Sequence, residues 1–257
     1  MDGPDLAQEL FRLASADNFR DVAGTGDGHP TRDGGRVRRG AFFRSNELQL
    51  TDEETLTVTG LGLTAVHDLR TDVEVEAHPD VVVPGAVWRH LDVTGIPMND
   101  VVELADEEAA GALMERVYRA FVESPRARRA FGSLLRHLAH DDGPQLFHCT
   151  AGKDRTGWAA ALLLHVAGVP EEVIVEDYLL TNDYTRSSRA RYLTMAETAL
   201  GADKVPVYER VLLASPGYLA VAQAAVAATY GDLDGYLAGG LGLDRATLAR
   251  LRARLVG

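Results

Sequence analysis

The stretch His148-Cys149-Thr150-Ala151-Gly152-Lys153-Asp154-Arg155-Thr156-Gly157 contains the only cysteine in a chain of 257 residues. A short apolar segment, Gln145 to His148, precedes that cysteine, and an apolar helical pattern follows from Trp158. The local structure expected is strand, tight loop, helix. Backbone N–H groups of such a loop, with the positive end of the helix behind them, bind a dianion and favour a thiolate over a thiol. A lone thiol six residues ahead of an arginine in this setting is the layout needed to attack a phosphate monoester.

The candidate roles follow from the chemistry. A phosphate ester dianion repels nucleophiles, so its charge must be offset and a good attacking group supplied at neutral pH. Cys149 is the candidate nucleophile, and Thr150, Ala151, Gly152, Lys153, Asp154 and Arg155 are the candidate phosphate cradle. Ala151 and Gly152 are small enough for close backbone approach. Arg155 would grip two phosphoryl oxygens with its fork. Thr156 would donate its hydroxyl to the sulfur, and His148 reads as a buried residue that steadies the loop rather than as a base. The reaction would be two displacements through a cysteinyl-phosphate. The leaving oxygen needs a proton, for which Asp154 is the first candidate. Asp68 is the second, because strand C-termini in open α/β sheets face the ligand crevice, which would bring Asp68 and Arg70 to the same mouth.

Composition narrows the setting. The formal net charge of −12 disfavours nonspecific binding to nucleic acid or to anionic membrane. One cysteine permits no internal disulfide. The opening residues Met1 to Asp5 lack a basic and an apolar region of the kind a cleaved signal carries, and the longest apolar run, Trp158 to Val169, is too short to span a bilayer. A cytoplasmic location without membrane insertion is the expectation, with export by a route lacking a cleaved signal left open. No zinc pattern, Walker loop or dinucleotide fingerprint appears, and His137 and His140 have no further ligand nearby in sequence, so neither metal nor cofactor is expected. There are two lysines, Lys153 and Lys204, against 24 arginines, and one of the two falls in the loop. A GC-rich coding bias explains the excess of arginine. The survivor at Lys153 reads as functional, since a compact ammonium differs chemically from a planar guanidinium.

Outward from the loop, the glycine-rich stretch from Asp17 to Gly40 reads as loops and a short hairpin. Ala41 to Arg44, Leu63 to Leu69, Val87 to Val93 and Gln145 to His148 read as strands. Thr51 starts a helix with acids in its first turn, and residues 101–139 carry a long helical pattern broken near Ser124-Pro125. Beyond Thr156 the pattern is helical: Gly168 is a stop, Pro170 a first helical position, Ser215 an N-cap, and Asp244 the cap of a last helix with Leu248, Leu251 and Leu255 on one face. The fold class expected is α/β, a parallel central sheet flanked by helices with a helical C-terminal third, in a single domain over 1–257.

At these residues the sequence resembles a known family. Cys-Thr-Ala-Gly-Lys-Asp-Arg-Thr fits the Cys-x5-Arg-Ser/Thr signature of protein tyrosine phosphatases, and the fuller His148–Gly157 form is similar to the atypical bacterial members. Asn18-Phe19-Arg20-Asp21-Val22-Ala23-Gly24, Phe43-Arg44-Ser45-Asn46 and Asp68-Leu69-Arg70 with Glu74 resemble the same family. The resemblance implies the parallel sheet with the loop at its C-terminal edge, Cys149 as nucleophile and Arg155 as phosphate grip. It implies phosphorylated proteins or phosphoinositides as substrates and phosphate or vanadate as inhibitors. Lys153 and Asp154 match the pair that separates this branch from the classical enzymes, and no Trp-Pro-Asp acid loop of the classical kind is present. Some relatives carry a helical lid, for which Met98 to Phe121 is the candidate here; helices packed on the core explain that segment equally well. Three other readings stand beside phosphotyrosine hydrolysis. They are a phosphate-binding module without turnover, a sulfurtransferase, and a phosphoinositide or dual-specificity phosphatase in which Lys153 neutralises a second phosphate.

Overall fold

The computed structural model describes residues 13–96 and 98–257. Five strands, β1 (Arg20–Asp21), β2 (Phe42–Ser45), β3 (Ala65–Asp68), β4 (Val87–His90) and β5 (Gln145–His148), form one sheet in the order β1-β2-β5-β3-β4. β2, β5, β3 and β4 run parallel, and only β1 is antiparallel to its neighbour. His148 is in register with Ser45 on one side and with Asp68 on the other. The loop after β5 therefore leaves from the middle of the sheet, between two strands that end at the same level. The opening residues read for a signal lie outside the described residues.

Strand alternation sorts the core into two. Phe42 and Phe147 point to the larger cluster, while Phe43, Val66 and Leu146 point to the smaller one on the opposite face. The smaller cluster is closed by Leu13, Phe19, Leu48 and Val58, the last of these on α1 (Asp52–Thr59). That helix and α2 (Asp72–Ala77) each open with a complete capping box, Thr51 with Glu54 and Thr71 with Glu74. After α3 (Met98–Val102), the larger face is covered by α4 (Glu107–Glu123), α5 (Pro125–His140) and α6 (Asp154–Ala167). Ser124 ends α4 and caps α5, whose first residue is Pro125, so the break expected there is a sharp corner.

The C-terminal third continues the helical layer. α7 (Glu171–Leu179), α8 (Thr181–Tyr184), α9 (Arg186–Leu200), α10 (Val205–Leu212), α11 (Pro216–Tyr230) and α12 (Arg245–Leu255) follow, with a π-helical turn at Tyr236–Gly240 before α12. Gly168 ends α6 at φ 83°, where the Val169 N–H returns to the Leu164 carbonyl at 3.0 Å. Asp244 caps α12, which buries Leu251 and Leu255. No single helix among the described residues is long and apolar enough to cross a membrane.

The structure departs from expectation at several points. β4 stops at His90 and lies at the sheet edge, paired among the described residues with β3 alone, and Val87 and Trp88 are exposed. Pro170 occupies the N-cap rather than the first helical position, and Ser215 sits at its N-cap without a side-chain capping bond. The segment considered as a lid is largely α4, which buries Met114, Val117, Tyr118 and Phe121 in the main core.

Core and surface positions should separate cleanly in denaturation. Leu135 in α5 is fully buried, so Leu135→Ala should cost about 2–5 kcal/mol by urea melting. Leu56 in α1 is 74% exposed, and Leu56→Ala should stay within about 0.5 kcal/mol.

Candidate active site

Cys149 follows β5 directly and is 2% exposed. The loop beyond it is shaped from behind. The Thr150 carbonyl accepts from the Glu47 N–H at 3.0 Å, that of Ala151 from Asn18 Nδ2 at 2.8 Å, and that of Gly152 from Arg44 Nη2 at 3.1 Å. In a trans peptide the N–H points opposite to the preceding carbonyl. Anchoring three successive carbonyls on the scaffold therefore turns the amides of Ala151, Gly152 and Lys153 toward the hollow of the loop. None of the three has a protein acceptor among the described residues. The arrangement is an anion nest.

Gly152 cannot be replaced without moving this scaffold. Its φ is +65°, and a Cβ there would lie 2.5 Å from the Ser45 carbonyl oxygen and 2.7 Å from the Asn46 nitrogen. Gly157, in the first turn of α6, is pressed against Tyr178, 2.9 Å from where its Cβ would be.

The anchors are themselves anchored. Arg44 is fully buried on β2, and its other terminal nitrogen, Nη1, donates to Asp177 of α7 at 2.9 Å. Arg20 closes the group by donating to the Asp177 carbonyl, to Thr181 Oγ1 and to Asn18. Burial works against the charge of Asp177, yet Arg20, His29 and Arg44 outweigh it and hold the carboxyl well below its ordinary range. Burial and the neighbouring Arg44 bring Arg20 down to about 9.

Arg155 lies in the first turn of α6, 5% exposed, and Glu74 of α2 meets its fork with both oxygens, at 2.7 Å from Nη1 and 2.7 Å from Nη2. Nη1 also reaches the Val93 carbonyl at 3.3 Å, and Nη2 reaches Thr150 Oγ1 at 3.3 Å. Glu74 further accepts from Thr150 Oγ1 and from the Thr71 amide and hydroxyl. Burial would raise its pKa, but Arg155 and these donors carry it down to about 2. Burial also opposes the Arg155 charge; the nearby Cys149 sulfur and Glu74 outweigh that, and the pKa rises. Gly95 leaves room for the guanidinium, since a Cβ there would stand 2.8 Å from Arg155 Cζ. The Nε of Arg155 has no protein partner among the described residues.

The remaining candidates divide. His148 is fully buried, 3.1 Å from Asp80 and 3.4 Å from the Cys149 carbonyl. Burial is the largest influence and lowers its pKa, but Asp80 and Asp68 together outweigh it, and the net direction is up. Asp68 does not open into the mouth. Arg70 grips it through Nε and Nη2 at 2.9 and 2.6 Å, and both residues are fully enclosed. Asp68, Asp80 and His148 gather round Arg70, whose Nη2 is 2.8 Å from Asp80, so its charge answers those of the two carboxylates. Asp154 is the first residue of α6; its Oδ1 accepts from Tyr118 Oη at 2.9 Å and lies 3.3 Å from Lys153 Nζ. The Lys153 ammonium is buried against the carbonyls of Val211 and Leu213 at the end of α10, away from solvent. Thr156 Oγ1 is enclosed and has no hydrogen-bond partner among the described residues, the Cys149 sulfur included. Sequence reasoning had no role for Asp177, Tyr118 or the Glu74 clamp. Asp177 stands alone in an ordinary helix, whereas Arg44 and Glu74 fell in stretches already noted for resemblance.

A parallel sheet that delivers a cysteine, an amide nest and a clamped arginine to one point defines the class of cysteine-dependent phosphate-ester sites. The model of the tyrosine phosphatase family matches residues 11–257, and the chain belongs to that family. It is 34% identical to the triple specificity protein phosphatase PtpB of Mycobacterium tuberculosis, over 95% of this chain and 98% of the relative. It is 28% identical to a tyrosine-protein phosphatase of Nostoc commune, over 98% of this chain and 90% of the relative. It is also 34% identical to a putative tyrosine-protein phosphatase of Cupriavidus necator, over 95% and 86% respectively. The chain is a phosphatase.

Two measurements check the anchoring. Asp177→Asn leaves two buried arginines without their counter-charge and should destabilise the fold by about 3–5 kcal/mol. Glu74 and Asp80 both have pKa values held down to about 2, so their contribution is complete above the ordinary carboxylate pKa and is lost as pH falls toward about 2. Melting temperature should therefore fall through that acid window, with a shallower slope in Glu74→Gln.

Proposed function

We propose that this phosphatase acts on phosphotyrosine in proteins, with 1–257 as one catalytic domain, through a cysteinyl-phosphate on Cys149. The observation that carries the reading is the amide nest behind Cys149 with the Arg155 fork clamped beside it. A phosphoryl group in the nest would receive the amides of 151–153 and the Nε–H of Arg155. Glu74 uses the opposite edge of the fork, so it fixes the guanidinium plane without blocking the Nε side. Cys149 would attack phosphorus as the ester oxygen leaves, and water would then displace the sulfur. The amides and Arg155 hold the equatorial oxygens in both steps.

Asp154 is the proposed general acid, rather than Asp68. Its carboxylate sits at the loop itself, 12% exposed, whereas both Asp68 oxygens are occupied by Arg70 in full burial. Lys153 bears on substrate class. Its backbone amide belongs to the nest, but its ammonium is engaged by carbonyls and Asp154, which favours single phosphate monoesters over a doubly phosphorylated headgroup. The likeness to a triple specificity protein phosphatase of Mycobacterium tuberculosis supports activity on more than one class of phosphate ester beside phosphotyrosine.

Cys149→Ser should abolish turnover of p-nitrophenyl phosphate while inorganic phosphate still raises the melting temperature; at a hundredfold excess over Kd the stabilisation is about 2.7 kcal/mol. Arg155→Ala should lose that shift. Retained turnover in Cys149→Ser would reject the mechanism. A panel of phosphotyrosine peptides, phosphoserine peptides and phosphoinositides ranked by kcat/KM tests the substrate class, and a phosphoinositide at its head would overturn the preference.

A further inference from the structure

Two phenols in series end on the Asp154 carboxylate. Tyr178 Oη of α7 lies 2.6 Å from Tyr118 Oη of α4, and Tyr118 Oη lies 2.9 Å from Asp154 Oδ1. Both rings are buried. A phenol has one hydrogen to give. Since Tyr118 gives its hydrogen to Asp154, the hydrogen between the two phenols belongs to Tyr178, and the chain runs Tyr178 to Tyr118 to Asp154. Burial, with the charge of Asp154 second, raises the Tyr118 pKa well above that of a free phenol, so it remains a donor over the working pH range. The Lys153 ammonium, 3.3 Å away, faces the same oxygen. Asp154 Oδ2 receives no hydrogen bond from the described residues.

We propose that Tyr118 is a positioning residue for proton transfer, holding Oδ1 as an acceptor so that Oδ2 carries the acidic proton and presents it to the leaving oxygen. The inference rests on the reading of Asp154 as general acid. In the first displacement the S–P bond forms, the P–O ester bond breaks, and the Oδ2 proton passes to the departing oxygen. In the second, water attacks phosphorus, Oδ2 takes its proton, and the S–P electron pair returns to sulfur. The Tyr118 hydrogen is never transferred. Its bond to Oδ1 strengthens as Asp154 becomes anionic, because hydrogen bonds to ionised acceptors are the stronger ones. That gain exists in the transition state and not in the ground state, which is the condition for raising rate rather than binding.

The leaving group separates this role from a structural one. With p-nitrophenyl phosphate the departing oxygen needs little protonation, and with phenyl phosphate it needs much. Tyr118→Phe should lower kcat/KM for phenyl phosphate by roughly tenfold, the scale of one hydrogen bond to a charged group. It should leave p-nitrophenyl phosphate within about twofold. Asp154→Ala should show the same selectivity at a larger size, roughly a hundredfold on phenyl phosphate. Tyr178→Phe, one hydroxyl further back, should be selective and smaller than Tyr118→Phe; a larger effect would overturn the order of the chain. If Asp154→Ala is selective and Tyr118→Phe slows both substrates equally, or neither, the positioning role is rejected and Asp154 stands. If Asp154→Ala is itself unselective, the acid assignment fails and the inference falls with it. The phosphate-induced rise in melting temperature should be unchanged in Tyr118→Phe. Should Tyr118→Phe not fold, the comparison of Tyr178→Phe with Asp154→Ala decides by the same selectivity.

Discussion

One guanidinium, enclosed on every side, holds the loop in shape. Arg44 gives one nitrogen to Asp177 in a helix of the C-terminal third and the other to the Gly152 carbonyl. Removing a buried arginine from water is expensive, and a single carboxylate offsets the cost only with good geometry and filled donor positions. The fork supplies that geometry: two parallel demands, one anionic and one neutral, met from one rigid plane. A lysine has one nitrogen and could not span both. The tie also couples the helical tail to the loop, since Asp177 comes from α7 and holds the arginine that anchors Gly152.

Charge is handled in small neutralised groups. Asp177 answers Arg20 and Arg44 behind the loop, Glu47, Asp68 and Asp80 surround Arg70 with His148 under the cysteine, and Glu74 faces Arg155 beside the hollow. In a chain of net charge −12, this grouping lets a local cationic edge persist inside an acidic protein. Facing the hollow, the amides of residues 151–153 and the Arg155 Nε have no protein partner among the described residues. The field at the site is therefore set by groups that cannot lose their charge near neutral pH: backbone dipoles and a guanidinium.

Much of the fold was legible because periodicity and punctuation are local. Gln145–His148 as a strand, the corner at Ser124-Pro125, the stop at Gly168 and the cap at Asp244 all follow from a few adjacent residues. The edge position of β4 was not legible, since apolar residues at 87 and 88 read alike on a central or an outer strand. The candidate nucleophile, cradle and grip lie within one run of ten residues and could be read together. Their supports could not. Asp177, Tyr118 and Glu74 sit 22 or more residues from Arg155 along the chain; Asp177 and Tyr118 look in sequence like ordinary helical residues, and Glu74 stood out only by resemblance, with nothing local to tie it to Arg155. The enclosure of Asp68 was hidden for a related reason: a strand end faces the crevice, but Arg70, two residues on, turns back and encloses the carboxylate.

The lysine in the loop now has a physical account. Its ammonium fits among two carbonyls at the end of α10, the Asp154 carboxylate and, 5.8 Å away, the face of Tyr218. A compact charge with three donors satisfies such a pocket, while a planar fork would have to displace a helix end to enter it. The helix terminus contributes partial negative charge, so the site attracts a cation from the dipole as well as from Asp154. Retention of a lysine among so many arginines at this position thus follows from the shape of the space behind the loop. The same placement links α10 to the residue that precedes Asp154, so the helical layer, the two phenols and the proposed acid form one connected polar path rather than separate contacts.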